Sequence, residues 1–281
     1  MRQLELGPPL ATMWAGRDPF AAATELANRA AEGELVRDVE GRRTLRFDID
    51  GHGYYLKLQN GVSWARIVEE LIHLRLPVLG AGNEWRAIRA CHAIGVPTMT
   101  AVAYGERGSG PAGRLSFLVT EAIEPAVDLD VFTRDWREQP PPIALKRALI
   151  AEVASITRRM HEGGINHRDF YLCHFLLRQS PEPAPDTLQL ALIDLHRAQL
   201  RTRTRTPKRW RDKDLAALYF SALDIGLTRR DKLRFLRVYF SAPLRDTLRH
   251  EAPLLAHLER EATRLKQRFE RKFAHRPALQ R

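Results

Sequence analysis

The sequence predicts an α+β fold in two lobes: a small antiparallel N-terminal sheet with one helix, then a larger helical lobe. One contrast along the chain carries that prediction. Up to about residue 123, apolar residues tend to alternate with period two, as half-buried strands require. Beyond it they recur mainly at helical spacing. The 281 residues, 44% hydrophobic and 28% charged, suffice for two lobes and carry no disorder signature.

Residues 1–33 read as an N-terminal extension, with a proline pair and then an Ala-rich helical run from Phe20 to Ala31. The first lobe is expected over residues 34–123. Leu45, Phe47 and Ile49 share one strand face, and Thr44, Arg46, Asp48 and Asp50 the other. Asp50-Gly51-His52-Gly53 is a turn signal. The next strand sets Tyr54, Leu56 and Leu58 on one face, Tyr55 and Lys57 on the other. A helix follows from Asn83 to Ile94, stopped by Gly95-Val96-Pro97. Strands over Thr98–Tyr104 and Leu115–Thr120 complete the sheet. The second lobe, residues 124–281, starts with a helix over Ile143–His161. A short strand-loop-strand stretch covers Gly164–Ile193, and helices fill Asp212 to Phe273.

The net charge of +11 and a pI near 10.1 favour an anionic partner. Cys91 and Cys173 lie too far apart in sequence for a metal-ligand pair or a disulfide framework, and their scarcity suits a reducing cytosol. The amino terminus is too acidic and too broken for a signal peptide, and no apolar run approaches the roughly 18 residues of a membrane span. A soluble protein touching membranes only at their surface is expected.

The chemistry concentrates in Ile165-Asn166-His167-Arg168-Asp169-Phe170-Tyr171-Leu172-Cys173-His174. A carboxylate in a turn between a helix and an apolar strand can orient a hydroxyl nucleophile and accept its proton. Asp194 ends the apolar run Leu190-Ala191-Leu192-Ile193, a good seat for a metal ligand. Phosphoryl transfer needs a base, a metal carboxylate and a cation on the phosphates. Lys57 supplies the cation, and Glu84 on the following helix can hold it as an ion pair. Glu69 and Glu70 are the competing acids.

The order Lys57, Glu84, His167-Arg168-Asp169, His174, Asp194 resembles the protein-kinase signature set. The spelling Asn-His-Arg-Asp-Phe-Tyr-Leu-Cys-His-Phe is closer still to the lipopolysaccharide core heptose(I) kinases, over about Leu35 to Phe220. The resemblance implies a protein-kinase-like fold, ATP and Mg²⁺ as cofactors, and phosphorylation of the first heptose of the inner core at the cytoplasmic face of the inner membrane. Asp169 would be the catalytic base, flanked by His167 and Arg168, while Asp194 and His174 would face metal. Lys57, Glu84, Gly41, Glu121 and Ile123 would form the ATP site, and Asp214 would brace the catalytic loop.

The chain departs from the kinase pattern in three places. The Gly-rich loop is reduced to Gly41, so phosphate cover falls to that turn's backbone, with Arg42 or Arg43. Leu195-His196 replaces Phe-Gly after Asp194, and no Ala-Pro-Glu segment follows, which argues against a protein substrate. His174 stands where an Asn is expected, and Mg²⁺ prefers oxygen. A kinase for another sugar or a protein, or a pseudokinase scaffold, remains the alternative. Zinc is disfavoured, since the spacings of His161, His167, Cys173 and His174 match no zinc pattern. Arg197, Arg201, Arg203 and Arg205, in a run of eight cations opposed only by Asp212, read as docking sites for phosphorylated sugar or anionic lipid. The basic face of the last helix (Arg264, Lys266, Arg268, Arg271, Lys272) suits a membrane surface or an acidic protein. Dispersed cations, with Trp210 the one aromatic in the run, argue against nucleic acid.

Overall fold

The structure, a computed structural model, describes residues 3–29, 35–39, 41–62, 72, 80–110, 112–201 and 204–274. Glu69, Glu70 and Arg203 lie outside the described residues. The chain divides into two compact units, drawn from Met1–Ala90, Thr98–Glu124 and Asp194–Arg197, and from Cys91–Pro97, Pro125–Ile193 and Ala198–Arg281.

The first unit is built on an antiparallel sheet. In chain order the elements are β1 (Gln3–Leu6), α1 (Pro8–Met13), α2 (Pro19–Arg29), β2 (Leu35–Val39), β3 (Arg42–Ile49), β4 (His52–Gln59), α3 (Gly82–Ala93), β5 (Ala101–Arg107) and β6 (Leu115–Glu121). The strand order is β1-β5-β6-β4-β3-β2. β3 and β4 pair with Thr44 opposite Lys57 and Leu45 opposite Leu56, and β4 pairs with β6 with Lys57 opposite Leu118. Alternation then separates the faces. Leu45, Phe47, Tyr54, Leu56, Leu58, Phe117 and Val119 lie on the face that forms one core with Leu10, Trp14 and Phe20 of the N-terminal helices. Trp14 and Phe20 both meet the Phe117 ring edge-on, with centroids 5.5 and 5.2 Å away. Gly105 makes room for that ring, because a Cβ there would sit 2.4 Å from it.

Gln3–Leu6, inside the stretch read from the sequence as an extension ahead of the sheet, is a strand of it. β1 pairs with β5 along the sheet edge, Leu4 against Gly105 and Leu6 against Ala103. Four residues are too few for a period-two pattern to stand out, and the pairing partner lies about a hundred positions away.

The second unit comprises β7 (Ala126–Asp128), α4 (Leu129–Phe132), α5 (Ile143–Glu162), β8 (Phe175–Arg178), β9 (Leu190–Leu192), α6 (Lys208–Ser221), α7 (Arg229–Phe240), α8 (Leu244–His250) and α9 (Ala252–Phe273). β7, β8 and β9 form a small antiparallel sheet. Ala154, Leu215, Ala216, Tyr239, Leu254 and Leu258, from α5, α6, α7 and α9, form a shared core. Beside it is an apolar cavity of about 300 Å³, walled by Leu149, Val153, Leu218, Leu236 and Tyr239 among others. None of the described helices is long and apolar enough to cross a membrane.

α7 starts on a capping box: Thr228 and Asp231 exchange side-chain-to-backbone hydrogen bonds. Lys146 Nζ of α5 lies 3.1 Å from Asp231 Oδ2. Burial opposes ionisation of Asp231, but hydrogen bonds from Thr228 and the Lys146 ammonium outweigh it and hold the carboxyl below its ordinary value. A depressed folded-state pKa contributes stability above the ordinary carboxyl value, lost as pH falls through the folded value. Asp231→Asn is therefore expected to cost roughly 1–3 kcal/mol at pH 7. In urea titrations the gap to wild type should close below about pH 4. A gap undiminished at pH 3 would contradict this account of α7.

Candidate active site

In the first unit the site residues gather on the sheet face opposite the N-terminal helices. Lys57 projects from the middle of β4, its side chain 12% exposed, and its ammonium donates to Glu84 Oε1, 2% exposed. Glu84 lies in the first turn of α3, where the helix dipole favours a carboxylate. The neighbours of Glu84 explain the Asn-Glu-Trp spelling. Asn83 Nδ2 donates to the His196 carbonyl at 2.9 Å, and Trp85 stacks on Tyr104 with centroids 4.7 Å apart. Asn83 thereby ties the Asp194–Arg197 segment to the start of α3. Asp194 takes a left-handed φ of +61°, and its Oδ1 lies 2.6 Å from His196 Nδ1. Lys57 Nζ and Arg42 Nη2 each stand 3.9 Å from that same oxygen.

In the second unit the His-Arg-Asp turn is fixed from below. Asp214, on α6 and 1% exposed, accepts the His167 amide on Oδ2 at 2.6 Å and the Arg168 amide on Oδ1 at 2.9 Å. These two bonds hold Arg168 at a φ of +76°, a conformation that costs a non-glycine residue about 1–3 kcal/mol. Asp214 is itself positioned by His161, whose Nε2 lies 3.4 Å from Oδ2 and whose Nδ1 lies 2.9 Å from Tyr239 Oη. Burial pushes the Tyr239 phenol above its ordinary value, so it remains a neutral hydroxyl beside the His161 ring. Asp169 is half-buried and follows this pinned turn, and its carbonyl accepts His174 Nδ1–H at 2.6 Å. Phe170, fully buried, anchors the next position. Gly164 has a φ of +79° and no room for a side chain, since a Cβ would lie 2.4 Å from the Arg201 and Thr204 carbonyls.

A carboxylate on a braced loop, a buried Lys–Glu pair and a second carboxylate beside that lysine are the parts phosphoryl transfer uses. Residues 27–239 match the model of the lipopolysaccharide kinase (Kdo/WaaP) family. The chain belongs to this family. It is 58% identical to the lipopolysaccharide core heptose(I) kinase WaaP of Pseudomonas aeruginosa over 269 residues, 96% of this chain and 98% of the relative. The Escherichia coli protein of the same name is 48% identical over 96% of this chain and 99% of its own. A solved structure described as WaaP in complex with acyl carrier protein superposes with a TM-score of 0.80 at 55% identity, covering 94% of this chain and 99% of that one. The kinase-like fold and the phosphotransferase class follow.

The remaining residues that the sequence singled out are placed as follows. His167 is fully buried and donates from Nε2 to the Ile193 carbonyl at 2.8 Å. His174 spends Nδ1 on the Asp169 carbonyl. Arg201, read as a substrate cation, turns inward: it donates to Asn166 Oδ1 at 2.7 Å and reaches the Gly164 carbonyl at 3.4 Å, and burial lowers its pKa. Arg205 is exposed and lies 3.7 Å from Glu162; Arg197 is half-buried. Gly41 forms the β2–β3 turn with a φ of +79°, Glu121 ends β6 exposed, and Ile123 is nearly buried just beyond it. Among the described residues no group of three or more His, Cys, Asp or Glu side chains gathers around a common point.

Tyr239 and Arg42 are the residues that sequence reasoning left without firm roles. Tyr239 joins the loop through His161, 78 positions away in sequence, and no motif marks it. Removing part of the brace tests it. Asp214→Asn keeps the shape but can accept only one of the two amides. We expect kcat to fall at least tenfold, about 1.4 kcal/mol of barrier, with the KM for ATP within about twofold. A raised KM at unchanged kcat would contradict a brace acting on the loop alone.

Proposed function

We propose that the chain transfers the γ-phosphoryl group of ATP to a hydroxyl of heptose I in the lipopolysaccharide inner core, with Asp169 as the base. The observation that carries this reading is the pinned His-Arg-Asp turn: Asp214 accepts the two amides just before Asp169, and His174 donates to the Asp169 carbonyl. Relatives at 58% and 48% identity that bear the heptose(I) kinase name support the acceptor. In the transfer, the Asp169 carboxylate orients the sugar hydroxyl and takes its proton as the new O–P bond forms. The bond from the γ-phosphorus to the β–γ bridging oxygen breaks, and ADP leaves. Lys57, aimed by Glu84, neutralises α- and β-phosphate oxygens.

The donor set fits a single hard cation. Asp194 offers carboxylate oxygens beside the lysine, and Mg²⁺ is commonly held by one or two carboxylates plus substrate phosphates. Bound there, Mg²⁺ supplies charge neutralisation to the terminal phosphates. His174, with Nδ1 engaged and only nitrogen to offer, fits Mg²⁺ poorly.

The acceptor is anionic, and exposed Arg205, Lys208, Arg209 and Lys213 form a cationic margin around the start of α6 that suits it and an anionic inner-membrane surface on the cytoplasmic side. An acidic carrier protein is a further partner in this reading. Its support is the related complex with acyl carrier protein and the +11 charge of the chain.

The test is turnover with ATP, Mg²⁺ and core lipopolysaccharide lacking the heptose phosphate. Asp169→Asn should lower kcat by at least about a hundredfold, the usual range for removing a general base, while the melting temperature stays within about two degrees. Wild-type kcat in the folded variant would remove Asp169 from the mechanism.

A further inference from the structure

The β2–β3 turn holds a single glycine, and the first two residues after it, Arg42 and Arg43, begin β3 on opposite faces of the sheet. Arg43 Nη1 donates to Asn28 Oδ1 of α2 at 2.8 Å, on the face covered by the N-terminal helices. Arg42 is opposite Gln59 in the ladder and shares the other face with Lys57. Its side chain is only 16% exposed, and its Nη2 stands 3.9 Å from the Asp194 oxygen that Lys57 Nζ also approaches to 3.9 Å. Neither separation is a hydrogen bond. Lys57 has Glu84 as a direct partner. The buried Nε of Arg42 has none among the described residues, and neither does the buried Oε1 of Gln59 across the ladder.

A nearly buried guanidinium that, among the described residues, meets its one carboxylate only at 3.9 Å is costly unless something completes it. Two cations thus converge on one carboxylate oxygen without hydrogen-bonding it, so both can turn to a multiply charged ligand. A planar guanidinium fork matches phosphate oxygens two at a time, whereas an ammonium acts as a point charge. We propose that Arg42 is a nucleotide phosphate-binding residue, gripping β- or γ-phosphate oxygens opposite Lys57 and supplying with a side chain the cover that a glycine-rich loop supplies with backbone amides. The proposal rests on the reading of Lys57 and Asp194 as the nucleotide site, and it separates Arg42 from Arg43, which the sequence left as alternatives.

The test compares full-length wild type with Arg42→Gln, Arg42→Lys and Lys57→Met, using the KM for ATP and calorimetric binding of ADP and adenosine. Arg42→Gln should raise the KM for ATP and weaken ADP by about tenfold to a hundredfold, the loss of two charge-assisted hydrogen bonds. Adenosine binding and the KM for the lipopolysaccharide acceptor should stay within twofold. Arg42→Lys keeps the charge and the stem and should lose about threefold to tenfold in ADP affinity, because it cannot make two parallel bonds. It also supplies the measurement if the glutamine variant does not fold. A KM for ATP unmoved in Arg42→Gln, or ADP affinity unmoved in Arg42→Lys, while Lys57→Met raises the KM, overturns the role of Arg42 alone. Equal weakening of ADP and adenosine makes Arg42 structural and overturns it too. If Lys57→Met also leaves the KM for ATP unchanged, the nucleotide-site reading fails and takes the proposal with it.

Discussion

The second unit depends on one buried carboxylate accepting two consecutive backbone amides. Asp214 is almost wholly removed from water, which an isolated carboxylate does not tolerate. It is stable there because its oxygens meet the His167 and Arg168 amides and, through His161, the Tyr239 hydroxyl. The same bonds that solvate Asp214 force Arg168 into its left-handed conformation and so fix where Asp169 emerges. Asp214 is rigid because α6 is: Leu215 and Ala216 beside it are core residues packed with α5, α7 and α9. The position of the Asp169 backbone is thus set by the helical core and not by local loop propensity.

Tyr239 belongs to two systems at once. Its hydroxyl ends the hydrogen-bonded chain that starts at the loop amides, and its ring forms part of the wall of the apolar cavity. The ring also stacks on Phe235 and meets Phe240 edge-on. Packing in that part of the helical unit and the geometry of the His-Arg-Asp turn therefore share a residue, with only His161 and Asp214 between them.

What was legible in the sequence followed the range of the interaction. Period-two alternation separated Thr44 and Arg46 from Leu45 and Phe47 on one strand and Lys57 from Leu56 and Leu58 on the next, and the structure keeps both divisions. The pairing of Lys57 with Glu84 spans 27 positions, but both ends sit on regular elements whose phase the sequence reveals. Features decided by distant partners stayed hidden. Gln3–Leu6 is a strand only because β5 offers an edge. Arg201 looks solvated in a run of cations, yet Asn166 and the Gly164 carbonyl draw it inward. Tyr239 is one aromatic among several on an amphipathic helix, distinguishable only once His161 stands beside it.

The N-terminal helices show how burial on one side of a sheet controls chemistry on the other. Leu45, Leu56, Leu58, Phe117 and Val119 would form a water-exposed apolar face if Leu10, Trp14 and Phe20 did not cover it. Because side chains alternate strictly, a slip of β4 by one residue would turn Leu56 and Leu58 away from that core and carry Lys57 into it. Burying a lysine there without a partner is far more costly than leaving it beside Glu84. The hydrophobic contact of α1 and α2 with one face therefore selects the single register that presents Lys57 to Glu84 and Asp194 on the other. By the same alternation Arg42 joins Lys57, while Arg43 is left to bind Asn28. The cation positions on the face of Lys57 are thus fixed by apolar packing that never touches them.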